Sequence, residues 1–103
     1  MKRKQALAEL IAKVEAGNAT NDGAMFRAFG DSWIICFDAF HGSLDAAKAL
    51  HDAVLPKATF KMQRGRDAFG VSVGHMPVCL ANCPARAWLL AILHALHSMD
   101  PDA

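Results

Sequence analysis

The stretch "PARAWLLAILHALHSM", residues 84–99, is apolar almost all the way round when wound as a helix. Ala85, Trp88, Leu89, Ile92, Leu96 and Met99 fall on one stripe, and Leu90, Leu93 and His97 on a second. A helix with two apolar stripes needs cover on more than one side, so it belongs at the centre of a core or in an interface between two copies of the chain. Pro84 suits the first helical position, where its missing N–H costs nothing, with Asn82 or Cys83 near the cap. A chain of 103 residues fits one domain, spanning 1–103.

The preceding segments divide by period. Leu7, Leu10, Ile11 and Val14 predict a helix over residues 4–16, closed at Gly17. A short helix is expected over 22–29, with Met25, Phe26 and Phe29 inward and Gly30 as its stop. "WIICF", residues 33–37, is a run of β-favouring apolar types and reads as a strand covered on both faces. Residues 43–56 predict a helix capped by Ser43 and closed by Pro56, with Leu44, Ala47, Leu50 and Val54 on its inner side and His51 at the edge of that stripe. Phe60 and Met62, then Phe69, Val71 and Val73, alternate with polar residues or glycine around "RGRD", which predicts a β-hairpin.

The hairpin also concentrates charge. Lys57, Lys61, Arg64 and Arg66 are offset locally by Asp67 alone, although the whole chain carries a net charge of only +1. Such a cluster suits an acidic protein, a small anion or nucleic acid. Lysine and arginine also guard exposed strands against aggregation. No exposed aromatic series accompanies the charges, which weakens the nucleic-acid reading.

Other chemistry is harder to build. Cys79, Cys83, His94 and His97 follow a Cys-x3-Cys-x10-His-x2-His pattern. A helix beginning at Pro84 places His94 roughly 16 Å beyond Cys83 at ~1.5 Å per residue, too far to share one zinc ion. Pairing His41, His51 or His75 with Cys79 supplies no positioned base or oxyanion site. Ser32, Ser43 and Ser72 lie in no nucleophile turn, and "GRDAFG" lacks the lysine and spacing of a phosphate loop. Asp38, Asp45 and Asp52 follow one another at seven-residue intervals, and Asp45 and Asp52 read as solvated helix surface rather than paired acids. The chain is therefore expected to be no enzyme and to hold no metal or cofactor.

Hydrophobic residues make up 53% and charged residues 20%, enough apolar material for a core and too little charge for disorder. Glu9, Lys13 and Glu15 interrupt the N-terminal apolar positions, which argues against a secretory signal, and three cysteines suit a reducing compartment. A cytoplasmic location, with no membrane, is expected.

"LAELIAKVEAG", "SLDAAKALHDAVLP" and "CPARAWLLAILHAL", in that order around a short hairpin, resemble the phage αβα-sandwich domain family of small phage- and prophage-encoded proteins. The matching features are Gly17, Ser43 to Ala47, Leu55–Pro56 and Cys83–Pro84–Ala85. Two features depart from the pattern: "WIICF" stands where the family is loop-like, and Cys83 where a threonine-like cap is usual. The resemblance implies a sheet between helical layers and brings no established activity. With the periodicity it gives the expected fold class: α+β, a small sandwich with a short, mainly antiparallel sheet of about three strands packed between helices, and a long apolar C-terminal helix.

The function expected from this is a small phage-encoded, non-enzymatic binding protein acting on a host bacterial protein in the host cytoplasm. An inhibitor of a bacterial defence system, of the anti-CRISPR type, is the form that expectation takes. Lys57, Lys61, Arg64 and Arg66 are its partner-binding residues. The alternative is a nucleic-acid or nucleotide-binding accessory protein using hairpin residues 57–66, and the second apolar stripe of the last helix leaves room for a homodimer.

Overall fold

Helix α4 (Pro84–Met99) is the element on which the others converge. The computed structural model describes residues 2–16, 25, 27, 29–74 and 76–99. They form α1 (Lys2–Ala16), a 3-10 turn (Gly30–Ser32), α2 (Trp33–Phe40), α3 (Leu44–Val54), β1 (Phe60–Arg64), β2 (Phe69–Val73), β3 (Cys79–Ala81) and α4. The class is α+β, with a three-stranded antiparallel sheet in the order β1-β2-β3.

Residues on both stripes of α4 are buried, including Trp88, Leu89, Leu90, Ile92 and Leu93, and the small Ala87 and Ala91 between them are buried too. α1 packs on one side of the helix, β2 and β3 on another, and α2 and α3 on the remainder. The stripe that raised the homodimer is thus covered within a single chain. α1 turns Leu7, Leu10 and Val14 into the core, as the period predicts. Gly17 and most of the expected helix over 22–29 lie outside the described residues; Met25, Arg27 and Phe29 are helical, and Met25 is buried.

Local chemistry explains the boundaries. The Ser43 hydroxyl accepts from the Ala46 N–H at 3.1 Å, which caps α3. Leu44, expected on the inner stripe of α3, is exposed, while Ala47 and Leu50 are buried. The turn that follows α2 passes through Gly42, whose φ of 105° is open to glycine and strained for other residues. The Cys83 carbonyl accepts from the Ala87 N–H at 2.9 Å, so α4 starts at Pro84 as its proline predicts. Arg86 reaches from α4 to the last residue of α2, donating through Nε and Nη2 to the Phe40 carbonyl at 3.2 and 3.1 Å and stacking over the Phe40 ring. A cation there meets the carbonyl-rich end of the α2 dipole.

Three expectations are corrected. Residues 33–37 are not a strand but the start of α2. Trp33, Cys36, Phe37 and Phe40 recur at i, i+3, i+4 and i+7; Cys36 and Phe40 are buried, whereas Ile34 is 52% exposed. The third strand is instead β3, three residues to which the sequence pattern assigns no element. His51 lies inside the core, not at the edge of the α3 stripe.

Cys36 has no exposed surface, and burial pushes its thiol from an ordinary 9.0 up to about 12. The thiol form is favoured by folding, so its contribution is complete below about pH 9 and is lost as pH rises toward 12. Iodoacetamide applied to the native protein near neutral pH is expected to modify the half-buried Cys83 and, more slowly, Cys79, and to reach Cys36 only in denaturant, as read by peptide mass spectrometry.

A candidate interaction surface on the basic hairpin

The hairpin pairs Phe60↔Val73, Lys61↔Ser72, Met62↔Val71, Gln63↔Gly70 and Arg64↔Phe69. Alternation along the strands sorts the side chains by face. Phe60, Met62 and Arg64 share the face of the buried Val71 and Val73, which looks toward α4; Lys61 and Gln63 share the outer face with Ser72 and Gly70. A Cβ on Gly70 would lie 2.8 Å from Val78 Cγ1 and 3.1 Å from a Leu80 methyl, so glycine lets that outer cover come close.

β1 is exposed along its whole length. Phe60 and Met62 sit on the inner face yet remain 41% and 40% exposed, because α4 passes under β2 and β3 rather than under this margin. What fixes β1 is its first residue. The Phe60 ring lies 4.3 Å, centroid to centroid, from the Trp88 ring on α4 and 5.3 Å from His51 on α3. Trp88 Nε1–H donates to His51 Nδ1 at 3.3 Å. An indole N–H only donates, so Nδ1 carries no proton and the Nε2–H donates to the Ala58 carbonyl at 2.9 Å. Both ring nitrogens of this buried histidine are thereby satisfied, and the chain leading into β1 is tied to two helices.

The four predicted contact residues fall along this margin. All of them are exposed, and none is in an ion pair among the described residues. Lys57 stands in the turn after α3, closed by the Ala58 N–H to Leu55 carbonyl bond at 3.1 Å. Lys61 points outward from mid-strand, Arg64 ends the strand with its guanidinium 6.0 Å from the Phe69 ring centroid, and Arg66 stands in the turn. They form a line along one edge and do not converge on a single point. In the sequence, the alternation of Phe60 and Met62 assigns them to one face of the strand and carries no sign that the cover beneath that face is incomplete.

A second feature lies on the opposite margin. The end of α1, β3 and α4 border a cleft of about 770 Å³ lined by Glu15, Cys79, Arg86 and His94 among apolar side chains. Burial, and then the Glu15 charge, push the Cys79 thiol above its ordinary value, which suppresses the thiolate a nucleophile needs. His94 Nε2 stands 3.5 Å from Glu15. Among the described residues no group of three or more histidine, cysteine, aspartate or glutamate side chains is placed to hold a metal, and no helix is long and apolar enough to cross a membrane. No family model matches the chain, and neither does any curated protein or solved structure.

Proposed function

We propose that this chain is a non-enzymatic binding domain that holds an acidic protein partner on its basic hairpin. The observation that carries the reading is β1 itself: an anchored strand, exposed throughout, with half-exposed Phe60 and Met62 set among four exposed cations. Charge steers the encounter and the apolar groups supply area that becomes buried on contact. The resemblance of the helix motifs adds a setting: a phage-encoded protein in the cytoplasm of a bacterial host, acting on a host protein as a defence inhibitor of the anti-CRISPR type does.

The test uses the tagged protein and an Arg64→Glu/Arg66→Glu variant as baits in bacterial lysate, with and without nuclease. Both residues are exposed at the end of β1 and in the turn, so the variant is expected to melt close to wild type. A partner that survives nuclease and is lost from the variant supports the reading. Capture that disappears with nuclease, and weakens steeply with salt in a direct assay, assigns the hairpin to nucleic acid instead. Equal capture by both baits removes the hairpin from consideration.

A further inference from the structure

Strand β1 lies at one margin of the sheet with β2 as its neighbour, and no strand lies beyond it among the described residues. Its ladder shows which backbone groups are already used. Gly74 N–H donates to the Thr59 carbonyl and Gly65 N–H to the Ala68 carbonyl, both at 2.8 Å. These two pairs extend the β1–β2 register at its two ends. Hydrogen-bonded pairs alternate along an antiparallel ladder, so Lys61–Ser72 and Gln63–Gly70 exchange the bonds between them. The N–H and C=O groups of Phe60, Met62 and Arg64 therefore point away from β2, along the open margin.

Resting on the reading of the hairpin as a binding surface, we infer that β1 takes up an extended acidic segment of a partner protein as a fourth strand. The free backbone groups supply the ladder, and the side chains supply the selection. On the inner face, the half-exposed Phe60 and Met62 accept apolar residues at alternate positions of the incoming strand. On the outer face and at the ends, Lys61, Arg66 and Lys57 meet its carboxylates. The wanted segment thus alternates acidic with apolar residues. A second copy of the chain is disfavoured, because pairing β1 with itself doubles the positive charge along one edge. A phosphate backbone would satisfy the cations but leave the free N–H and C=O groups and the apolar pair without counterparts. The lysines that protect the edge from neutral strands also select an acidic one.

The probe is an acetylated, amidated eight-residue peptide of alternating glutamate and valine, titrated into the full chain and followed by amide hydrogen exchange with NMR detection. In the free protein the amides of Phe60, Met62 and Arg64 are expected to exchange fast and those of Lys61 and Gln63 slowly, and bound peptide to slow the first set by at least about tenfold. Met62→Pro removes one free N–H and leaves the β2 ladder bonds intact, since proline is tolerated on the open side of an edge strand. Once its fold is verified by circular dichroism, it is expected to bind about tenfold more weakly. A lysine–valine peptide of the same length is expected not to bind.

If the peptide fails to bind at millimolar concentration, or binds without slowing the three amides, strand addition is overturned. The same holds if a single-stranded oligonucleotide binds more tightly than the peptide. If the amides are slow without peptide, and more so at higher protein concentration, the occupant is a second copy and the inference is equally overturned. Arg64→Glu/Arg66→Glu separates the two levels. Charge-dependent peptide binding with unprotected edge amides leaves the basic surface standing without the added strand, and indifference to charge reversal removes the surface itself.

Discussion

Leu89→Ala is expected to lower the stability of the folded chain by about 2–5 kcal/mol. Leu89 has no exposed surface and lies on the helix that contacts both the sheet and the other helices. Removing its isobutyl group loses transfer free energy and opens a cavity that rigid neighbours on several sides cannot close. Denaturant melts check this: the midpoint should fall while the slope stays unchanged. A loss under about 0.5 kcal/mol would place Leu89 outside the core.

The second large effect is expected at Trp88. Trp88→Ala should cost about 3–5 kcal/mol, since the indole is buried against Phe60 and His51. Trp88→Phe separates packing from hydrogen bonding. It keeps an aromatic ring beside Phe60 but removes the N–H that His51 Nδ1 accepts, leaving a buried acceptor without its partner, at a cost of about 1–3 kcal/mol. In both variants the amides at the start of β1 should exchange faster than in wild type, because the anchor of the strand is weakened. A Trp88→Phe variant as stable as wild type, with β1 exchange unaltered, would mean the hydrogen bond does nothing for the hairpin.

How much of this was legible before the structure differs from segment to segment. α1, α3, the hairpin and the start of α4 each carry two concordant signals: a period together with a cap, a proline or a turn sequence. Residues 33–37 carry only one. Five consecutive apolar residues have no polar position to mark a period, so their β-favouring types decided the reading, and tertiary packing overrode them. The deciding residue was Phe40, which completes a helical stripe with Trp33, Cys36 and Phe37 just outside the window that suggested a strand. β3 was invisible for a different reason: three residues cannot display alternation, and the strand exists because β2 offers it an edge. His51 was misplaced because sequence gives no notice of two partners, Trp88 and Ala58, that arrive from other elements. On the candidate surface, the cations were legible as composition. The free backbone groups of Phe60, Met62 and Arg64 were not, because they depend on which neighbour each strand finds.

The position of α4 also bears on how the chain reaches its fold. A ribosome delivers α4 after every other described element, yet α1, β2, β3 and the mutually packed pair α2–α3 all pack against it. Until α4 has emerged, the apolar faces of α1, β2 and β3 lack the helix that covers them, and α1 must meet a helix that begins at Pro84. Packing on that shared partner is therefore expected to wait until α4 is free of the exit tunnel, with the apolar faces it covers exposed to chaperones until then.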